Sequence, residues 1–404
     1  MLKKITVEQI KPGMYVHDLI CDWMSHPFVR NQFPLKTEAE IQKIRDAGIH
    51  ELYIDTDKGL DVSDAPTMEE VNAQLQAEML EAAQEPVPVI QVSVAAEMER
   101  AKKIRHQATR IVRSVMQDVR LGKAINMENV EPLVEDITSS LMRNGGALTS
   151  LLRLKTKDDY TFLHSVSVCT LMVTFCKAVG IDTETTRQAG IGGLLHDTGK
   201  MKVPDEVLNK PGRLTDEEFE IIKRHPSDGH AILLETQGVG DIPLDITLHH
   251  HERMDGSGYP DKLPGDQIHT LAQMAAIVDV YDAITADRCY HKGIPPAEAL
   301  KKMWEWSKFH FNPKLMQAFM RTIGIYPVGT LVRLESGRVG VVTELHESNM
   351  LAPRVKVFFS IKSNTFIPVQ EIDLSKPMGK GGADRILSHE DPAKWKIDPM
   401  RYLQ

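Results

Sequence analysis

His196 and Asp197, then His225, then the run His249-His250-His251 constrain this chain more than anything else in it. Imidazoles and a carboxylate recur through sequence that otherwise reads as ordinary helix. Such groups are costly to bury without partners. A metal centre is the commonest reason to gather them. The segment that follows, Asp255-Gly256-Ser257-Gly258-Tyr259-Pro260, places glycines where something must approach the backbone closely.

The periodicity around these residues is helical. From 127 to about 323 nearly everything reads as helix, including a stripe of Val130, Leu133, Val134, Ile137 and Leu141. Residues 164–179 are apolar nearly all round, which predicts a buried helix. Thr215-Asp216-Glu217-Glu218 is a capping-box start for a helix running to about Arg224, and Pro226 is expected to push His225 out of helical geometry. A further helix is expected over residues 270–286.

The flanks differ. Residues 1–60 read as a small α/β module: an alternating strand at Ile5–Ile10, a helix opened by the Thr37–Glu40 capping box, and a short strand at Glu51–Asp55. Residues 61–99 predict an acidic linker, flexible or partly helical, since 59–99 contains no Lys or Arg. Residues 100–145 predict connecting helices, the first amphipathic with a solvated basic face. The catalytic-type helices occupy 146–326. Beyond Pro327 the period falls to two, predicting a small β appendage over 327–404, with the stretch 379–382 and the tail loop-like. The expected fold is therefore mainly α, flanked by a small α/β module and a small β appendage.

With 404 residues, 42% hydrophobic and 26% charged, the chain has room for a sizeable core. A net charge of −8 gives no protein-wide basic field for DNA. Cys21, Cys169, Cys176 and Cys289 form no CxxC pair, which suits a reduced, cytoplasmic compartment. No stretch has the roughly 18 apolar residues of a membrane span.

Taken one at a time, the polar residues carry different weight. His164 on an apolar helix reads by itself as a core histidine, and His225 as a helix C-terminal cation. The triple histidine favours metal even in isolation. Adjacent His196 and Asp197 diverge on a helix, but the two oxygens of Asp197 suit a bridge between two metals. Asp279 and Asp282 lie three apart and share a half-buried face, where an acid wants a cation.

The order His164, His196-Asp197, Asp279 resembles the signature of HD-domain metal-dependent phosphohydrolases. His225, the segment from His250 to Pro260, and the run DVYDAITADR ending at Arg288 resemble the HD-GYP subgroup, whose members hydrolyse cyclic di-GMP. The likeness spans about residues 150–325. The first 60 residues are similar to the small module found ahead of many such domains. The resemblance implies an all-helical HD-type phosphohydrolase domain with two divalent transition metals, drawn from Fe, Mn, Co, Ni or Zn with iron or manganese favoured. One metal would use His164, His196, Asp197 and Asp279; the other Asp197, His225, His250 and His251. His249 falls outside the set. Lys200 and Arg288 would meet phosphate, and Gly258 and Tyr259 would border the substrate. Tyr160 stands where some members carry a third-metal Glu, and His291 where many carry a Lys that contacts phosphate.

The implied activity is a bacterial cyclic di-GMP phosphodiesterase acting through a two-metal-activated water. Asp197 and Lys200 would be catalytic, and the product the linear dinucleotide pGpG or, after a second cut, GMP. The alternative is a catalytically weak HD-GYP receptor or adaptor. The expected partners are cyclic di-GMP and signalling proteins such as diguanylate cyclases. The N-terminal module is expected to regulate the enzyme or form a homodimer through the helix at 93–121.

Overall fold

The computed structural model describes residues 1–21, 28, 32–82, 92–152, 160–210, 212, 214–286, 293–346, 351–377 and 384–403. The N-terminal module contains β1 (Leu2–Thr6), β2 (Tyr15–Asp18), β3 (Phe33–Pro34), α1 (Glu38–Asp46) and β4 (Glu51–Asp55). Its sheet order is β1-β4-β2-β3, with Leu2 opposite Asp55 and Thr6 opposite Glu51. The alternating stretch at Ile5–Ile10 is only partly strand. Val7–Gln9 forms a 3-10 turn, because Thr6 and Gln9 make a reciprocal capping box there. Ile5, Val16, Leu35, Ile41, Ile44, Leu52 and Ile54 fill the module's interior. Thr37 and Glu40 cap α1 as their spacing predicts.

The acidic stretch expected as a linker contains a 15-residue helix, α2 (Met68–Ala82). Leu75 and Met79 are buried on it, and Trp304 Nε1 donates to Glu78 at 3.0 Å. Burial of this apolar pair gives the segment a reason to order that net charge alone does not reveal. Residues 83–91 lie outside the described residues. The connecting helix α3 (Val94–Arg120) occupies nearly the expected 93–121, with Ser93 accepting from the Ala96 amide as its cap.

The helical body comprises α4 (Met127–Arg143), α5 (Gly145–Leu152), α6 (Tyr160–Ala178), α7 (Thr183–Leu195), α8 (Asp205–Leu208), α9 (Asp216–Ile222), α10 (His225–Leu234), α11 (Asp241–His249), α12 (Thr270–Thr285), α13 (Pro296–Trp306) and α14 (Pro313–Ile323). Helix α6 is its axis, packed against α7, α12 and α14 and buried along most of its length. Gly193 lets α7 lie close on α6, since a Cβ there would stand 3.1 Å from the Cys169 Cα. Phe319 meets both Phe175 and Tyr281 edge-on. Such aromatic contacts add about 0.5–1.5 kcal/mol each beyond area burial.

The C-terminal strands β5 (Leu331–Leu334), β6 (Arg338–Glu344), β7 (Arg354–Ser360), β8 (Thr365–Asp373) and β9 (Ile386–His389) form one antiparallel sheet in the order β8-β7-β6-β5-β9. The tail is not simply loop. It supplies β9, and Tyr402 stacks on Phe358 with ring centroids 3.9 Å apart, anchoring the chain end by apolar burial. The stretch 379–382 lies outside the described residues. The chain is thus mainly helical, with the two small sheets at its flanks. No helix among the described residues is long and apolar enough to cross a membrane. Cys21, Cys169 and Cys176 are buried, while Cys289 is outside the described residues.

Candidate metal centre

Five helices bring their polar residues to one buried point. His164 lies on α6. His196 caps the C-terminal end of α7, followed by Asp197. His225 opens α10, His250 and His251 follow α11, and Asp279 lies on α12. His164, His196, Asp197, His225, His250 and Asp279 are all buried. The break ahead of α10 falls before His225 rather than at it. Proline is tolerated in a helix's first turn because its missing N–H would have no intrahelical acceptor there. His225 is therefore an N-terminal helix residue, not a C-terminal cation.

Asp197 is central. Its Oδ2 lies 3.4 Å from His196 Nε2 and 3.6 Å from His164 Nε2. Its Oδ1 lies 3.3 Å from His225 Nε2 and 4.0 Å from His250 Nε2. Asp279 Oδ1 completes the first group, 3.0 Å from His164 Nε2 and 3.7 Å from His196 Nε2. His225, His250 and His251 form the second group, with one nitrogen of each lying within 4.8 Å of the others.

The outer nitrogens fix the rings. Nδ1 of His196 donates to the Gly193 carbonyl at 2.8 Å, that of His225 to Ile222 at 2.8 Å, and that of His250 to Thr247 at 2.9 Å. Nδ1 of His164 donates to Asp282 Oδ2 at 2.6 Å. Each ring thereby presents Nε2 inward, as a ligating histidine does. Among the described residues no hydrogen-bond partner meets His196 Nε2, Asp197 Oδ1 or His251 Nε2, all buried. Unpaired buried polar atoms are expensive. Several converging on one point, with neutral nitrogens and anionic oxygens, fit divalent cations.

The electrostatics agree. Burial, reinforced by Lys200 and His250, holds the His225 imidazole well below its usual range. Burial with His250 and His225 does the same to His251. Burial and His196 bring His250 down to about 4. These three are neutral, the ligating form. His196 behaves oppositely: burial disfavours its charge, but Asp197 and Asp279 outweigh that and raise it to about 10. A proton there balances two carboxylates, and a cation bound at this group would supply that positive charge in its place. Burial opposes ionisation of Asp197 and Asp279. Even so, His196 and Lys200 hold Asp197, and His164 and His196 hold Asp279, well below the ordinary carboxylate range.

After α7 a 3-10 turn, Thr198–Lys202, folds Lys200 back so that Nζ reaches Asp197 Oδ2 at 2.7 Å. Gly199 is obligatory in that turn, because a Cβ would run into the His225 carbonyl. The loop beyond His251 is shaped by Glu252, which accepts the amides of Asp261, Lys262 and Leu263 at 2.7–3.0 Å. A Cβ at Gly258 would lie 2.5 Å from Arg253 N and Glu252 Cα. The close approach expected at these glycines is thus made, at Gly258, by the chain's own backbone. Tyr259 then stacks on His251, with centroids 4.7 Å apart and planes 25° apart.

The structure directs His249 away from the centre, to Asp245 at 2.8 Å and Asp261 at 3.2 Å. Arg288, His291 and the side chain of Tyr160 lie outside the described residues. Two supporting residues were not singled out as site residues from the sequence. Asp282 orients His164; its spacing from Asp279 on one helix face was the available signal. Glu252 organises the loop, and nothing in the local pattern distinguishes it from a surface acid.

Comparison with known proteins gives the family. Residues 141–315 match the HD domain model, and residues 2–130 match a domain of unknown function, DUF3391. The latter reaches well past the module at 1–60. The chain is 45% identical to "Cyclic di-GMP phosphodiesterase PA4108" of Pseudomonas aeruginosa, covering 98% of this chain and 94% of that protein. It is 39% identical to the response regulator RpfG of Xanthomonas campestris, a cyclic di-GMP phosphodiesterase by name, over 35% of this chain and 38% of that one. Among solved structures, Bd1817 of Bdellovibrio bacteriovorus, an HDG"Y"P protein, aligns at 20% identity and a TM-score of 0.47, covering 79% of this chain and 98% of that one. With the signature residues in order and a relative matched along nearly its whole length, this chain belongs to the HD-GYP family of HD-domain metal-dependent phosphohydrolases.

Proposed function

We propose that the chain hydrolyses a 3′–5′ phosphodiester of cyclic di-GMP to give linear pGpG. The observation that carries this reading is Asp197, whose two oxygens face two separate groups of inward-pointing ligand atoms. The substrate is supported by the name of the relative that is 45% identical over nearly the full length of both chains. Two divalent cations, when bound, supply an attacking water of lowered pKa and positive charge against the phosphoryl oxygens. His164, His196, Asp197 and Asp279 would hold one cation; Asp197, His225, His250 and His251 would hold the other. The mixed nitrogen and oxygen donors suit Fe, Mn, Co, Ni or Zn, and softness alone does not choose among them; iron or manganese is favoured through the family resemblance.

Lys200 has a dual task in this scheme. Its ammonium holds Asp197 ionised in the resting site. It is also close enough to the centre to meet a phosphoryl oxygen or to protonate the departing 3′ oxygen. Gly258 and Tyr259 border the substrate, with the tyrosine ring fixed by its stack on His251. Arg288 and His291 are assigned to the phosphate side. A tyrosine at position 160, where some relatives have a metal-binding acid, supports two metals and release at the linear product.

The test is metal analysis of anaerobically purified protein, paired with a time course on cyclic di-GMP that resolves linear and mononucleotide products. Wild type should carry two metals per chain and accumulate pGpG. Asp197→Ala should lose metal and turnover together. Retention of both by that variant refutes the reading.

A further inference from the structure

The N-terminal module touches the loop beside the metal centre directly. The turn between α1 and β4 brings Gly48 against Ser257: a Cβ on Gly48 would lie 2.5 Å from the Ser257 Cβ and 2.8 Å from its Oγ. Gly48 has φ +68, so glycine is suited to the turn on both steric and conformational grounds. Two residues on, His50 Nε2 donates to Asp255 Oδ2 at 2.8 Å, and its ring stacks on Phe309 with centroids 4.2 Å apart. The His50 carbonyl accepts the Val7 amide at 2.8 Å, so the ring is held by the module's own framework.

Asp255 passes this constraint on. Its other oxygen accepts both the Ser257 amide, at 2.9 Å, and the Ser257 hydroxyl, at 2.6 Å. Its own amide donates to the Phe309 carbonyl at 3.0 Å. After Ser257 comes Gly258, pressed on Glu252 and Arg253, and then Tyr259, which donates its amide to the His251 carbonyl and stacks on the His251 ring. One hydrogen bond and the short chain run from Asp255 to Tyr259 therefore join a module residue to the tyrosine over a ligand histidine.

We propose that His50 is a positioning residue for the reaction: it fixes Asp255, which sets the turn that places Tyr259 at the substrate. The inference rests on the phosphodiesterase reading for its catalytic half only. Other contacts keep the module docked without His50. Lys4 Nζ meets Glu305 at 2.7 Å, the Tyr53 hydroxyl donates to Glu305 at 2.9 Å, and Lys302 meets Asp18 at 3.0 Å. Losing the His50 side chain should therefore loosen the loop and not release the module.

The experiment uses the full-length, metal-loaded protein with His50→Ala, His50→Gln and Lys43→Ala. Lys43 makes an exposed cross-module pair with Asp216 at 3.3 Å, away from the loop, and serves as the control. Amide hydrogen exchange over residues 255–259 is read first. The His50–Asp255 pair is partly exposed, so His50→Ala should speed exchange at Ser257 by about fivefold. It should also raise KM for cyclic di-GMP by about fivefold, with kcat kept within about twofold and metal content unchanged. His50→Gln, whose amide can still donate to Asp255, should recover most of both effects, and Lys43→Ala should show neither. Unchanged exchange in His50→Ala, or the same change in Lys43→Ala, overturns the proposal. So does faster exchange with unaltered KM. A wild-type protein inactive on cyclic di-GMP would instead overturn the phosphodiesterase reading, and the exchange data would still decide whether His50 seats the loop.

Discussion

Removing the Asp282 carboxylate should strip one metal and leave the other. Asp282 Oδ2 accepts from His164 Nδ1 at 2.6 Å, and the two side chains are only 8% and 3% exposed. In Asp282→Ala that donor remains buried and loses this acceptor, which costs about 1–3 kcal/mol. The ring also loses what directs its Nε2 at Asp197 and Asp279. Outer partners of ligand histidines are typically worth about 10–100-fold in metal affinity. That range equals about 1.4–2.8 kcal/mol, so the two estimates meet. One of two metal equivalents should therefore bind about 10–100-fold more weakly, with the equivalent at His225, His250 and His251 within about threefold of wild type. Asp282→Asn keeps an acceptor oxygen without its charge and should lose only about threefold to tenfold. Competition against a chromogenic chelator with manganese, with metal counted by elemental analysis, reads both equivalents. Wild-type affinity for both metals in Asp282→Ala refutes the reasoning. So does an Asn variant as impaired as Ala, since the acceptor would then not matter.

Two further outcomes are expected. Gly258→Ala should impair activity with little loss of metal, because a Cβ 2.5 Å from Arg253 N forces the loop away from the backbone of residues 251–253 while leaving His164, His196, His225 and Asp279 on their own helices or helix ends; a fall in kcat/KM of at least about tenfold in steady-state assays, with metal content retained, checks it. Acid stability should be limited in part by His310. Burial, with Arg253 and His50 adding, holds that imidazole well below its usual range. The folded value is thus depressed against an unfolded one near 6.5, so stability is full above about pH 6.5 and falls below it, by up to about 1.4 kcal/mol per pH unit. Thermal melts of wild type and His310→Asn should show a gap that narrows between pH 7 and pH 5; a gap independent of pH refutes the assignment.

Helix existence and the helix caps were legible from local pattern. Thr37 and Thr215 accept amides at helix starts as their capping boxes predict, and the apolar run beginning at His164 lies in the buried helix α6. The burial of α2 was hidden because its acidic composition masks Leu75 and Met79, and Met79 packs into a core built from distant sequence. The tail strand β9 was hidden for a similar reason. Its pairing with β5 is a long-range contact, and Ile386–His389 has no strong alternation of its own.

The sequence by itself determined which residue types gather here. Histidines and aspartates placed in apolar helices have few affordable fates, so their chemistry could be read before any geometry was known. Their order along the chain also matched a family pattern, which separated His249 from its two neighbours. What the tertiary structure alone decided is how those groups are aimed. The His164–Asp282 bond spans 118 residues and the His50–Asp255 bond spans 205. No local periodicity encodes such pairs. They exist because packing of α6 on α12, and of the N-terminal module on the loop after α11, brings the partners within hydrogen-bond reach. The same packing fills the space where a Gly258 side chain would point with the chain's own backbone.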